Sequence, residues 1–301
     1  LLINIGGNKM YTNGYIDLHV HSTASDGKKS PEEVIDIAIQ NGVSVISLTE
    51  HYNLGSYKSA KMAAQDRLEV IPGIEIGSTL IPLGYSKKHI CHIAAYYPNY
   101  NICKILDEYE LSREKCVRRT IEKLKKYVPI SYNKVKKFAR NKNSIGRFDI
   151  AIALYKLGYA NDPTSAYGEY LDTGKSCYVD RIKQSPEELI KNIRQVNGVP
   201  VLVHPKSLRL NLEDTFNLLI KFKAYGLEGI EAYNPHHTTE QINAYLDIAK
   251  ELSLVTTVGS DYHARKDQDI EIGLGIDNNL KVNDYSIITE LKKRQNKVLN
   301  D

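Results

Sequence analysis

Tryptophan is absent from this 301-residue chain, and its 21 tyrosines follow no RNA-recognition pattern, so no separate nucleic-acid module is read from them. Cysteine is scarce: Cys91, Cys103, Cys116 and Cys177 make no C-x-x-C pair. Thiols so few and so spread exclude a small secreted disulfide scaffold and point to reduced side chains and a cytoplasmic protein. No apolar run approaches the roughly 18 residues that a membrane span requires. Residues 1–13 lack the basic start, long apolar stretch and small-residue cleavage site of a secretory signal, and read as a leader before the first strand.

What is present describes an ordinary globular protein, 42% hydrophobic and 25% charged. The length suits one large α/β domain, or such a domain with an insert, since single α/β barrels commonly reach roughly 250 residues. The net charge of +4 hides an asymmetry: residues 104–147 hold 14 Lys/Arg against 5 Asp/Glu, and the remainder 26 against 31. A basic segment beside an acidic remainder reads either as the solvated face of basic helices or as a surface that receives a polyanion.

The chain opens its pattern with Tyr15-Ile-Asp-Leu-His-Val-His-Ser22. In a strand His19 and His21 share a face, so both imidazoles can reach one cation. Ser30-Pro-Glu-Glu33 is a capping box that predicts a helix ending at Asn41-Gly42, with Val34, Ile37 and Ala38 on its apolar face. Val43–Leu48 is a continuous apolar run, as in a strand buried on both faces, and it delivers Thr49-Glu50-His51. A helix over 57–67 precedes strands over 68–76, with Glu75, and 90–96, with His92. Ser185-Pro-Glu-Glu188 repeats the earlier unit and leads to Pro200-Val-Leu-Val-His204. Helix 212–225, strand 226–233, helix 239–252, strand 254–259 with Ser260-Asp-Tyr-His263, and a last helix over 283–296 follow. Repeated αβ units of this kind predict a parallel barrel or a doubly wound sheet. Between 105 and 180 strand signals vanish and helices are predicted over 105–127, 132–141, 146–157 and 164–172, as in an inserted helical subdomain. The expected division is 1–104, 105–180 as the insert, and 181–301.

Nine polar residues fall at or just past predicted strand ends: His19, His21, Asp26, His51, Glu75, His92, His204, Asp261 and His263. Any one alone has a plain explanation, a satisfied core histidine or a paired carboxylate. Yet six of the nine histidines in the chain gather on one topological edge with three carboxylates, the edge at which α/β barrels keep their chemistry. Imidazole and carboxylate without thiolate suit Zn, Mn or Fe, and so many ligands imply two or three divalent ions. His89 stands in the opposite strand phase to His92 and is left out of the set.

The motifs D-L-H-V-H-S at 17–22, S-D-G at 25–27, T-E-H at 49–51, G-I-E at 73–75, H-I-A-A-Y at 92–96, V-H-P at 203–205 and S-D-Y-H at 260–263 resemble, as a set and in this order, the PHP (polymerase and histidinol phosphatase) family. The resemblance implies a distorted (β/α)7 barrel and a trinuclear site. His19, His21, Glu75 and Asp261 would take the first metal. Glu75, bridging, would take the second with His92 and His204, and Asp26, His51 and His263 the third.

Within the family the chain looks most like bacterial phosphoesterases that act on nucleoside 3′,5′-bisphosphates and on the 5′ ends of short RNAs. Gly146-Arg-Phe-Asp149 matches part of that branch's G-R-P-H, and Gly229-Ile-Glu-Ala-Tyr-Asn-Pro-His-His237 matches a barrel stretch. Phe148-Asp149 in place of Pro-His, and Glu50 with Asn53 in place of the usual T-D-H-D, are departures. The expected activity is hydrolysis of phosphomonoesters of small nucleotides, with trimming of short 5′-phosphorylated oligonucleotides, by metal-activated water. Glu75, Asp261 and His237 are the expected catalytic residues. Arg147, whose guanidinium fork matches two phosphate oxygens, is the expected phosphate clamp. Lys206 and Arg209 are candidate contacts for a second phosphate, and His237 (or His236) and Asn234 are candidates to touch substrate or protonate the leaving group. No membrane or stable duplex partner is expected. The rival enzyme reading is a histidinol-phosphate phosphatase, and the rival of another class a non-catalytic regulatory PHP module.

Overall fold

The two S-P-E-E segments fold alike. In the computed structural model, which describes residues 2–5, 8–11, 13–81, 89–140, 142, 145–180, 184–265 and 269–300, Ser30 and Ser185 sit in extended backbone and accept the N–H groups of Glu33 and Glu188. Each glutamate accepts the serine N–H in return at 2.8 Å. Pro31 and Pro186 lack only an N–H that the first turn would leave unused, so both helices start where the sequence places them.

The chain divides into two compact units, Leu1–Cys103 with Gln184–Asp301, and Lys104–Lys183. The first unit begins with β1 (Leu2–Ile5) and β2 (Asn8–Tyr11), an antiparallel pair where the sequence reading expected only a leader. Then come β3 (Tyr15–Val20), α1 (Pro31–Gln40), β4 (Val43–Leu48), α2 (Gly55–Ala64), β5 (Glu69–Val70), β6 (Gly73–Leu80) and β7 (His89–Tyr96). The predicted strand over 68–76 breaks in two at Pro72, which has no ladder N–H to give.

The second unit is helical. It takes up α3 (Ile102–Leu124) from Lys104 onward, α4 (Tyr132–Phe138), α5 (Arg147–Lys156), α6 (Pro163–Ala166) and a π-helical turn (Tyr167–Leu171). Val117, Ile121 and Leu124 of α3 pack with Val135, Ile150, Leu154 and Leu171 in a core of its own. The last residue of the predicted 132–141 helix lies outside the described residues.

The first unit resumes with α7 (Pro186–Gln195), β8 (Val199–Leu202), a 3-10 turn (Pro205–Leu208), α8 (Leu212–Tyr225), β9 (Gly229–Tyr233), α9 (Thr239–Glu251), β10 (Val255–Val258) and α10 (Ser286–Asn300). Beyond the β1-β2 pair its strands form two sheets, β10-β9-β8-β7-β6 and β3-β4-β5. The expected all-parallel alternation fails at β7, which runs antiparallel to both β6 and β8. Only residues 81–88 separate β6 from β7, fewer than a parallel crossover needs. Nor is the expected barrel a closed ladder. Isolated parallel bridges, Val20 to Tyr262 and His51 to Glu75, link the two sheets at their edges. Both bridges lie among the residues singled out for chemistry. Ile16, Leu18, Tyr96, Val199, Val201 and Leu291 fill one core cluster beneath them, and Val34, Ile35, Ile46 and Ile272 belong to a second. Among the described residues no helix is long and apolar enough to cross a membrane.

Candidate metal centre

Alternation along β3 buries His19 and brings His21, one residue past the strand, to the same side, with ring centroids 5.2 Å apart. The end of β4 supplies His51, β6 supplies Glu75 and β7 supplies His92. His204 follows β8 in left-handed backbone (φ 31°), and Asp261 follows β10 at φ 56°.

Glu75 is the centre of the arrangement. It is 1% exposed, and its Oε1 lies 2.8 Å from His92 Nδ1 and 2.9 Å from His204 Nε2. Its Oε2 lies 3.1 Å from His51 Nδ1, 3.2 Å from His21 Nε2 and 3.5 Å from His19 Nε2. Asp261 Oδ1 stands 3.5 Å from His19 Nε2 and 3.4 Å from His21 Nε2. Asp26 Oδ1 stands 3.2 Å from His263 Nε2 and 3.8 Å from both His51 Nε2 and His21 Nδ1.

Three groups of donor atoms result, each within 4.8 Å: His19-His21-Glu75, Glu75-His92-His204, and His21-Asp26-His51-His263. Within them His19 Nε2, His21 Nε2, His51 Nδ1, Asp26 Oδ1 and Glu75 Oε2 are buried yet have no hydrogen-bond partner. Buried polar atoms left without hydrogen bonds are costly. Atoms that converge to 3.1–3.5 Å without hydrogen-bond alignment are arranged as ligands of shared cations are, so the residues fit divalent metal.

The electrostatics agree. Burial alone would raise the Glu75 pKa, but the imidazoles around it, His92 foremost, hold it well below the usual carboxylate range. Burial resists protonation of His21, yet the Asp261 and Glu75 carboxylates, 3.4 and 3.2 Å from its Nε2, lift its pKa to about 10. His51 goes the other way, pushed down to about 3 chiefly by burial. The site gathers negative charge that protons or metal ions must balance.

Partners that the sequence reading missed hold these residues. Glu231, fully buried on β9, lies 2.8 Å from His19 Nδ1 and accepts the His204 N–H at 3.2 Å and Asn234 Nδ2 at 2.7 Å. Because a carboxylate only accepts, Nδ1 of His19 donates and Nε2 presents its lone pair toward Glu75 and Asp261. Glu50, also fully buried, accepts the Ser22 N–H and the Ser22 and Ser25 hydroxyls. Ser25 Oγ in turn lies 3.4 Å from His21 Nδ1. The signal for Glu231 was present: Gly229-Ile-Glu231 repeats Gly73-Ile-Glu75.

The expected substrate contacts separate. Asn234 spends its amide on Glu231, on the Gly259 carbonyl and on the His236 N–H. His237 donates from Nδ1 to the Ala232 carbonyl at 2.9 Å, and its buried Nε2 has no partner. Burial lowers its pKa. Its Nε2 is the ring nitrogen left for the substrate contact or proton transfer expected of it. Lys206 Nζ bonds the His236 carbonyl, and Arg209 is exposed at left-handed φ 54°. In the helical unit Arg147 opens α5, its guanidinium 4.7 Å from the centre of the Tyr178 ring and its buried Nη1 without a partner.

The model of the PHP domain family matches residues 17–180. A 5′-3′ exoribonuclease of Haemophilus influenzae is 31% identical over 258 residues, covering 82% of this chain and 89% of that protein. A 3′,5′-nucleoside bisphosphate phosphatase of Chromobacterium violaceum is 26% identical over 262 residues, covering 86% and 90%. Among solved structures, an amidohydrolase from Chromobacterium violaceum with bound sulfate and no metal has a TM-score of 0.71 at 25% identity, covering 93% of this chain and 96% of that one.

Proposed function

The chain belongs to the PHP domain family and is a phosphoric ester hydrolase; within that class we propose that it removes phosphate from nucleoside 3′,5′-bisphosphates and trims short 5′-phosphorylated oligonucleotides. The reading rests above all on Glu75, one buried carboxylate whose two oxygens face five imidazoles while Oε2 has no hydrogen bond. Three divalent ions of Mn, Zn or Fe fit the donor sets. His19, His21, Glu75 and Asp261 would hold one, Glu75, His92 and His204 a second, and Asp26, His51 and His263 a third. Such ions supply Lewis-acid chemistry, lowering the pKa of water and neutralising phosphoryl oxygens.

The chain's own residues prepare that chemistry. Glu231 fixes the His19 tautomer and, through the His204 N–H, the turn after β8. Glu50 and Ser25 brace the His21 side. Neutral His237 offers Nε2 as an acceptor for a substrate hydroxyl. We assign Arg147 a phosphate clamp, with Lys206 and Arg209 as further cations for the second phosphate of a bisphosphate. Residues 105–180 serve in this reading as the inserted substrate-binding subdomain, and the two bridged sheets are read as one distorted (β/α)7 barrel. The four cysteines, none in a disulfide, support the cytoplasm as its place.

Phosphate release with added Mn²⁺ from adenosine 3′,5′-bisphosphate, AMP, histidinol phosphate and a 5′-phosphorylated trinucleotide tests the proposal. The bisphosphate should turn over fastest, with the trinucleotide also cleaved. Preference for histidinol phosphate would overturn the substrate assignment, and metal-loaded protein inert on all four would overturn the activity.

A further inference from the structure

Among the described residues after β10 stands a cation, Arg265, that neither the sequence reading nor the ligand sets use. Two left-handed residues, Asp261 and Ala264 (φ 56° and 54°), bend the segment before it, and the Lys28 N–H donates to the His263 carbonyl at 3.0 Å. Arg265 follows, and its Nη2 donates to Asp26 Oδ2 at 2.8 Å. The Asp26 carboxylate is thus divided. Oδ1 faces His263, His51 and His21 and has no hydrogen bond, while Oδ2 is capped by the guanidinium.

A neutral donor would suffice to orient a ligand carboxylate, so the full positive charge of Arg265 on Asp26 is more than a cation site alone needs. Arg265 weakens the field that attracts the ion, so its placement favours an anion that arrives afterwards. The side chain is 38% exposed and has no second partner among the described residues. Its planar fork directs further N–H donors away from Asp26, the geometry that receives tetrahedral oxyanions. Resting on the phosphoesterase reading, we propose that Arg265 binds the phosphoryl group: one nitrogen anchors it on Asp26, and the others take nonbridging oxygens of the phosphate at the Asp26-His51-His263 group.

The test uses full-length, Mn-loaded protein with inorganic phosphate as the calorimetric probe, together with Mn²⁺ titration and steady-state kinetics on adenosine 3′,5′-bisphosphate. Loss of a charged hydrogen-bond donor to phosphate corresponds to about tenfold to a hundredfold in affinity. Arg265→Met should weaken phosphate binding and raise KM by that factor, with Mn²⁺ affinity unchanged or tighter. Weaker Mn²⁺ binding with unchanged phosphate affinity would reduce Arg265 to a prop for Asp26 and overturn the proposal. If Arg265→Met does not fold, Arg265→Lys decides. Keeping the charge but losing the fork, it should bind phosphate several-fold more weakly at unaltered Mn²⁺ affinity, and wild-type phosphate binding would count against the assignment. Wild-type protein that binds phosphate through Arg265 but hydrolyses no nucleotide would sink the substrate reading alone.

Discussion

Gly73-Ile-Glu75 and Gly229-Ile-Glu231 are the same tripeptide on two strands of one sheet, and both glutamates are buried. Their surroundings divide them. Glu231 has a donor for each oxygen: Oε2 faces His19 Nδ1, and Oε1 takes the His204 N–H and the Asn234 amide. Glu75 Oε2 has imidazole nitrogens at 3.1–3.5 Å and hydrogen-bonds to none of them. A saturated buried carboxylate is a brace, and an unsaturated one among lone pairs is a ligand. Burial alone does not distinguish the two, but the count of satisfied atoms does.

Removing the ligand should cost most. Glu75→Gln leaves shape and volume nearly intact but replaces the carboxylate proposed to bridge two ions by an amide, so bound Mn²⁺ should fall. Because Lewis-acid stabilisation is worth several kcal/mol, kcat should drop by about a thousandfold. Metal analysis and turnover of the bisphosphate check this together; full activity would end the account of Glu75. The brace should cost less. Glu231→Gln turns an N–H toward His19 Nδ1 and frees the imidazole to take the wrong tautomer, a change worth about 10- to 100-fold in metal affinity. A Glu231→Gln loss as deep as that of Glu75→Gln would erase the distinction between the two carboxylates.

The comparison also has a pH signature. Glu75 and Asp261 raise His21 from its ordinary 6.5 to about 10, so the metal-free fold gains from keeping that imidazole protonated. That contribution is fully present below about pH 6.5 and is lost as pH rises through about 10. Metal-free protein should therefore melt at lower temperature as pH climbs across that window, and Mn²⁺ binding should tighten over it, because each ion displaces protons. Calorimetry at pH 7.5 in buffers of different ionisation enthalpy should detect proton release on Mn²⁺ binding. The same release in Glu75→Gln would break the link to the unsaturated carboxylate.

What the sequence made legible was local. A capping box spans four residues, so both S-P-E-E helices start where they were expected. Histidines at strand ends were visible because burial patterns and turn residues locate those ends, and the chain brings those histidines around Glu75. What stayed hidden depends on distant partners. Asn234 reaches Glu231 from three residues away, but His19 meets it from 212 residues away and the His204 N–H from 27, so two of its three donors have no local trace. The reversal of β7 follows from the short 81–88 connection, which was passed over because an alternating βα rhythm was assumed. Nor does the sequence show that His237 gives Nδ1–H to the Ala232 carbonyl and keeps only Nε2 for substrate.

Asp17 supplies the smallest and sharpest test, as a third buried carboxylate, one held chiefly by backbone N–H groups. It is fully buried on β3. Its Oδ1 accepts the N–H groups of Ser260 at 2.9 Å and His19 at 3.3 Å, and Oδ2 accepts that of Gly273 at 2.8 Å. Those bonds tie the strand bearing His19 to the turn that delivers Asp261 and to the loop beyond it. Asp17→Asn keeps an acceptor for the first two donors but points an amide N–H at Gly273, leaving a donor facing a donor at a cost of about 1–3 kcal/mol. Thermal or urea unfolding of the metal-free protein should show that loss, while Mn²⁺ affinity should move less than in Glu231→Gln because no imidazole tautomer changes. Equal losses of metal affinity in the two variants would mean that holding the strands in place, rather than orienting His19, is what Glu231 contributes.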